Sequence, residues 1–403
     1  MGNSSGHTPY QLPTYSMARL STFCFMLSAF CFPLFPYFCR LLTIKNISLT
    51  QFKNYAHTAY AFEQRIVGIT GRNGSGKTNL LDAIYYLCFT KSYFSSNEGQ
   101  NTQYQTNGFR LDGQLERNGQ PHRIICTLKD GKKDITLDEE SYDRFSRHIG
   151  QFPAVMIAPD DAEIILGGSE ERRKWLDGLL SQLYPNYLEH LITYNKILQQ
   201  RNSLLKTIAT QNRNQDALLD IFDDQLVQHG VPVFEMRRAF LPAFIQQVQQ
   251  LYDYLAGKHE VVSIQYQCNL LEQPLDKLLA ANRHKDLLLQ RTSGGIHRDD
   301  LVFLLDGHAM KASASQGQRK SFLFALKLAQ YEVIKQQKQF PPLLLLDDVF
   351  EKLDQERVTR LIQLVSSPEY GQVFITDTHA ARLQEAFQGQ AGFQLIEIGK
   401  KEE

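Results

Sequence analysis

The sequence predicts an α/β fold with a mixed sheet core and an inserted α-helical domain. Three observations carry that prediction. The run Gly71-Arg72-Asn73-Gly74-Ser75-Gly76-Lys77-Thr78 lies between a short β-branched segment, Arg65 to Thr70, and an amphipathic helical pattern from Asn79 to Leu87. Leu343-Leu344-Leu345-Leu346-Asp347-Asp348 describes a buried parallel strand whose C-terminal tip carries a carboxylate. Between them, Glu170 to about Leu255 changes character, becoming rich in Leu, Gln, Arg and Asp, with helical spacings such as Tyr187, Leu191, Tyr194 and Leu198.

Taken in order, residues 1–39 stand apart. Phe23 to Cys39 is almost wholly apolar and aromatic and reads as a signal core or membrane anchor on hydropathy alone. Pro33 and Pro36 would break a spanning helix, and no small-residue cleavage site follows, so a start site placed too far upstream is the preferred reading. From Leu41, the pieces Leu41–Ile44, Ile47–Leu49 and Phe52–Tyr55 are strand-like and lead into the glycine-rich loop. Lys91 to Gly108 is polar and reads as a surface loop. Phe109–Leu115, Arg123–Leu128 and Asp134–Leu137 form a small antiparallel sheet, turned at Asn118-Gly119 and Asp130-Gly131. Ala154–Ala158 is a core strand. Val261–Tyr266 and Arg298–Leu305 are strands, Leu275–Leu289 is a helix, and Ser315–Phe340 is one long helix with Phe322, Leu326, Ala329 and Val333 on one face. Gln372–Thr376 and Phe393–Ile398 complete the core strands.

Composition bounds the function. Lys plus Arg and Asp plus Glu each number 43 in 403 residues, a formal net charge of zero, so there is no bulk basic field and nucleic-acid contact must come from local patches or an oligomer. The six cysteines, Cys24, Cys31, Cys39, Cys88, Cys126 and Cys268, include no C-x-x-C pair. That usage suits a reducing cytosol and argues against a zinc site or a disulfide framework.

The motifs carry nucleotide chemistry. Gly71–Thr78 fits the P-loop pattern G-x-x-x-x-G-K-[ST] at every specified position. Its glycines let successive N–H groups turn inward on phosphate oxygens, Lys77 supplies charge for the β- and γ-phosphates, and Thr78 is placed for Mg²⁺. Asp347 is the second expected Mg²⁺ ligand, and Asp348 the group expected to orient or deprotonate the attacking water. Ser315-Gln316-Gly317-Gln318 opens the long helix, where N–H groups and the dipole again favour an anion. A second such site without its own P-loop makes sense if it completes the site of another subunit.

The order of P-loop, long insertion, S-x-G-Q, acidic strand and Leu353-Asp354 is the layout of ABC-type ATPases, and within that group the chain closely resembles the RecF family. The resemblance spans Arg40 to Lys400 and rests on Phe52-Lys53-Asn54-Tyr55, Pro159-Asp160-Asp161, Gly167-Gly168-Ser169, Arg172-Arg173-Lys174-Trp175-Leu176-Asp177, Gly295-Ile296-His297-Arg298-Asp299-Asp300-Leu301 and Ser315-Gln316-Gly317-Gln318. Lys53 and Ile296 depart from the family's Arg and Pro, Glu351-Lys352 from its commoner Ser-Glu, and residues 1–39 have no counterpart in it.

The resemblance implies an ATPase head built from 40–169 and 291–403 with a helical arm over 170–290. It implies ATP and Mg²⁺ as cofactors, and a homodimer in which Ser315, Gln316, Gly317 and Gln318 of one subunit face the P-loop of the other, with Asp354 on the dimer loop. It further implies a cytoplasmic protein with weak DNA-stimulated ATPase activity, without membrane association. That protein would act on single-stranded, gapped or junction DNA with RecO and RecR in repair, replication restart and SOS induction. A transporter-type ATPase subunit, an SMC-like structural ATPase and a nucleotide-gated DNA switch with negligible turnover are the alternatives. The first lacks so long an insertion and the second needs sustained heptads, which are absent. Lys91, Arg172, Arg173, Lys174, Arg201, Arg237 and Arg238 are candidate DNA contacts. Asp160 or Asp161 is a candidate for coupling nucleotide to the arm, and His379 for contacting the γ-phosphate.

Overall fold

The computed structural model describes residues 41–211, 216–257, 260–351, 354–390 and 392–399. The expected N-terminal extension lies outside the described residues, as do Lys352 and Leu353. The chain opens with β1 (Leu42–Phe52) and β2 (Tyr55–Ala61), then passes through β3 (Ile66–Thr70) into α1 (Lys77–Phe89). It returns as β4 (Gly108–Arg117), β5 (Gln120–Lys129), β6 (Lys132–Leu137) and β7 (Glu140–Ser141). After β8 (Ala154–Ile157) come α2 (Ala162–Leu166), α3 (Ser169–Leu183), α4 (Pro185–Gln211) and α5 (Asp216–Ala256). Next are β9 (Val262–Gln267), α6 (Leu275–Leu289), β10 (Asp300–Leu305), β11 (His308–Ala309), α7 (Met310–Ser313) and α8 (Gln316–Lys338). The chain then runs through β12 (Leu343–Leu346), α9 (Gln355–Ser366), β13 (Val373–Asp377), α10 (Ala380–Ala386) and β14 (Phe393–Glu397).

A five-stranded parallel sheet in the order β14-β3-β13-β12-β8 separates two hydrophobic cores. Alternation along β12 shows why its four leucines are all needed. Leu343 and Leu345 pack into the core that holds α1 and the antiparallel strands, while Leu344 and Leu346 pack into the core that holds α3, α5 and α8. Both faces are buried, so a continuous apolar run takes the place of an alternating one.

The second sheet is antiparallel, in the order β2-β1-β4-β5-β6-β7. Its hairpins turn at Asn118-Gly119, with φ of 53° and 79°, and at Asp130-Gly131, with φ of 49° and 75°. Positive φ at both central residues is what a two-residue turn between twisted strands requires. The sheet is larger than the expected trio because β1 pairs with both β2 and β4, with Leu49 opposite Leu111. The three strand-like pieces expected before the P-loop are in fact β1, running through Phe52 with an irregularity between Ile44 and Asn46, and the following β2. A third sheet, β11-β10-β9, joins a strand following α5 to the Asp299-Asp300 segment.

Two expected DNA contacts are corrected here. Arg201 of α4 is fully buried and bonds Asp223, Asp286 and Thr292. Arg237 of α5 is also buried, donating to Asp299 and Asp177 at 2.7 Å each, to Tyr187 and to the Ile296 carbonyl. A buried guanidinium needs partners for its charge, and these commit both arginines to structure, with Arg201 Nη2 left without a hydrogen bond. Arg172 is likewise held by a two-pronged pair with Asp300, at 2.7 and 3.0 Å. Lys174 and Arg238 remain exposed, each with a glutamate neighbour on its own helix.

Candidate functional site

The C-terminal tips of β3, β12 and β13 lie side by side, with Leu346 opposite Ile375 and Asp377 opposite Thr70. Ligands in open α/β sheets bind at that edge. Here β3 runs into Gly71–Thr78 and α1 starts at Lys77. The loop needs its glycines for close approach: a Cβ on Gly71 would lie 2.7 Å from the Ile398 carbonyl oxygen. Gly76 has φ +112°, and a Cβ there would meet Asn54 Nδ2 at 2.6 Å.

Within the loop, Lys77 is 5% exposed, and its ammonium donates to the carbonyls of Gly71 at 3.0 Å and Arg72 at 3.3 Å. Arg72, Asn73 and Gly74 are exposed at the rim. Ser75 Oγ is buried without a hydrogen-bond partner. An orphaned hydroxyl inside a glycine cradle, at a helix N-terminus, fits a polyanion.

The Thr78 hydroxyl donates to Asp347, lying 3.0 Å from both carboxylate oxygens. Thr376 donates to Asp347 Oδ1 at 2.8 Å, and its oxygen accepts the backbone N–H of Asp348 at 2.8 Å. Asp347 is 3% exposed, and burial pushes its pKa up against the lowering effect of the Thr376 and Thr78 hydroxyls. A buried carboxylate bonded to neutral hydroxyls, beside a phosphate cradle, has the donor set that a hard divalent cation takes. Asp348 sits one residue further in a left-handed conformation, φ 47°. Asp tolerates that conformation, and such backbone strain concentrates at functional sites.

Some of this shell escaped the sequence reading. Asn54 Nδ2 donates to the Ser75 carbonyl at 3.0 Å and Tyr55 Oη to the Gly76 carbonyl at 3.0 Å. Asn79 Nδ2 reaches Asn54 Oδ1 at 2.7 Å, closing a brace behind the loop. The Phe52–Tyr55 motif is thus a support for the P-loop as well as the turn between β1 and β2. Thr376 was read only as the end of a strand. Its position at the tip next to Asp347 was the available signal.

The second anion-seeking motif is also formed. Ser315 caps α8 by accepting the Gln318 N–H at 3.2 Å, and Gln318 Oε1 accepts the Ser315 N–H at 2.7 Å. Ser315 and Gln316 are exposed. Gly317 faces Arg357, whose guanidinium would lie 3.3 Å from a Cβ there, and Arg357 pairs with Asp354 at the start of α9. The structure therefore gathers Ser315–Gln318 and Asp354 on one surface, and Lys77, Thr78, Asp347 and Asp348 at another. Among the described residues no hydrogen bond or ion pair joins Lys77, Thr78 or Asp347 to Ser315–Gln318 or Asp354. His379 stands at the N-terminal boundary of α10 with an exposed ring, 2.8 Å from the Thr378 hydroxyl and making no capping hydrogen bond. Asp160 is exposed, whereas Asp161 is buried and paired with Lys327 at 2.9 Å.

Residues 43–399 match the family described as RecF/RecN/SMC N terminal domain. A DNA replication and repair protein RecF from Flavobacterium johnsoniae is 43% identical over 342 residues, covering 85% of this chain and 95% of that protein. One from Cytophaga hutchinsonii is 39% identical over 363 residues, covering 89% and 96%. Among solved structures, the recombination mediator protein RecF with ATP, of the RecFOR pathway, is 29% identical and aligns with a TM-score of 0.80 over 86% of this chain and 94% of that one. The corresponding form with ATPrS gives 0.79 over 85% and 94%.

Proposed function

The chain belongs to the RecF family of DNA replication and repair proteins, and from that premise we propose that it is an ATP-gated DNA-binding protein of recombinational repair. The single observation that carries the reading is Thr78 bonded to Asp347 at the mouth of a glycine cradle closed by Lys77. Gly71 to Thr78 hold the triphosphate of ATP by backbone N–H groups, with the Lys77 ammonium on its terminal phosphates. Thr78 and Asp347 hold Mg²⁺, which when bound neutralises charge on the phosphates. Asp348 takes the proton of the attacking water. Ser315 to Gln318 of a second subunit cover the open face of the site, with Asp354 beside them, so that ATP joins two copies. The ATP-bound homodimer clamps DNA at single-strand gaps, and slow, DNA-stimulated hydrolysis releases it. RecO and RecR are the partner proteins, SOS induction is the downstream process, and the compartment is the cytoplasm. Cys88, Cys126 and Cys268 are free, which suits a reducing compartment.

Lys77→Met tests the reading. Loss of a charge-assisted contact to phosphate costs about 1.5–3 kcal/mol, so ATP affinity should fall by roughly ten- to a hundredfold. ATP-dependent binding to gapped DNA should fall with it. Nucleotide titration and DNA-binding assays read both, and wild-type ATP affinity in the variant would refute the site.

A further inference from the structure

The buried face of α8 holds one cation among apolar side chains. Lys327 lies beside Phe324, Leu328 and Tyr331, is 3% exposed, and donates to Asp161 at 2.9 Å, Tyr93 Oη at 2.8 Å and the Met156 carbonyl at 3.1 Å. Asp161 is equally committed: it bonds Tyr93 and, through Oδ2, accepts the Ala158 N–H at 2.8 Å. The backbone of Tyr93 is pinned in turn. Its N–H and the Ser92 hydroxyl each donate to Asp82 at 2.7 Å, and Asp82 is fully buried on α1, where Lys53 also pairs with it at 2.5 Å.

These contacts form a polar bridge between two helices that begin at functional motifs. Asp82 lies about one turn beyond Thr78 on the P-loop helix. Lys327 lies roughly three turns, about 18 Å, beyond Ser315 on α8. Burying an ion pair is often no more stabilising than burying apolar side chains of the same volume, so packing alone gives no reason for a lysine here. The two helices pack into separate cores on either side of the parallel sheet, whose edge strand is β8, and the bridging side chains border a cleft of about 910 Å³ lined by Tyr85, Tyr93, Asp161, Trp175, Lys327 and Gln330. The bridge joins them past that edge strand, touching the Met156 carbonyl and the Ala158 N–H.

We propose that Lys327 is a positioning residue: through Asp161 and Tyr93 it ties the helix presenting Ser315–Gln318 to the P-loop helix of the same subunit. It thereby sets the pose in which that motif meets a partner's nucleotide. This rests on the composite-site reading above. The loop after α1, read from sequence as a surface loop, is then the link through which occupancy of one subunit's P-loop reaches its own α8.

Two variants test it, with ATP affinity, thermal midpoint and ATP-dependent dimerisation measured on each. Tyr93→Phe keeps the Lys327–Asp161 pair and removes only the hydroxyl that joins it to α1. ATP affinity should stay within about twofold of wild type, while dimerisation weakens by about tenfold or more, a split that simple loss of stability does not produce. Lys327→Met should show the same split more strongly, and if it does not fold, Tyr93→Phe decides alone. Tyr93→Phe protein that dimerises like wild type, or that loses ATP affinity in step with dimerisation, overturns the proposal. Wild-type protein that stays monomeric with ATP, or Ser315→Arg protein that dimerises, overturns the composite-site reading and this inference with it.

Discussion

Asp347 and Asp348 are neighbours held in different ways. Asp347 is buried, oriented by two hydroxyls and pushed toward its neutral form by desolvation, which suits a residue whose charge is to be met by a cation. Asp348 extends past the strand tip in a left-handed conformation, its N–H anchored by Thr376. In the proposed function Asp348 is the base that takes the proton of the attacking water. Asp348→Asn should therefore leave ATP binding near wild type and reduce turnover by about a hundredfold or more, the usual contribution of a general base. The ATP-bound dimer should accumulate in consequence. Single-turnover phosphate release gives the rate, and an unchanged rate would assign the base elsewhere.

Helix α5 shows what an element does with adjacent arginines. Arg237 is buried and joined to Asp299 and Asp177, while Arg238 is exposed and pairs with Glu235 one turn back. Burial pushes the Asp299 pKa up and the Arg237 charge pulls it down, so removing Arg237 strands a buried carboxylate. Arg237→Met should cost about 3–5 kcal/mol of stability. Arg238→Ala should cost no more than about 0.5 kcal/mol. Urea denaturation of the two variants checks the contrast, and equal losses would mean that the network does not hold α5 to the Asp299-Asp300 strand. In sequence the two residues are indistinguishable, both basic on a helical pattern. The same helix runs through Pro232 and Pro242. Prolines signal helix breaks, and tertiary packing overrides that signal here: Gly230 is pressed against Tyr194 and Leu275.

Across the whole molecule, legibility followed contact distance along the chain. Gly71–Thr78 and Leu343–Asp348 were readable because each motif's chemistry lies within a few consecutive residues. Their meeting was readable only through motif knowledge, since Thr78 and Asp347 are 269 positions apart. Partners with no motif of their own were not readable. Lys327 finds Tyr93 across 234 positions, and Arg237 finds Asp299 across 62. Apolar periodicity located most of the strands and helices, but not the β1–β4 pairing that enlarges the antiparallel sheet, because pairing partners leave no local trace.

Ser315–Gln318 and Asp354 share a surface that makes no hydrogen bond with the chain's own P-loop among the described residues. The central claim, that ATP joins two such halves, is tested most directly by light scattering of the purified protein with and without ATP. Wild-type protein should shift from monomer to dimer on adding ATP, and Ser315→Arg and Lys77→Met should each stay monomeric. Mixing those two variants should give a weak dimer, because one composite site then pairs an intact Lys77 with an intact Ser315. A wild-type mass unchanged by ATP, or a Ser315→Arg variant that dimerises as wild type does, would contradict the account.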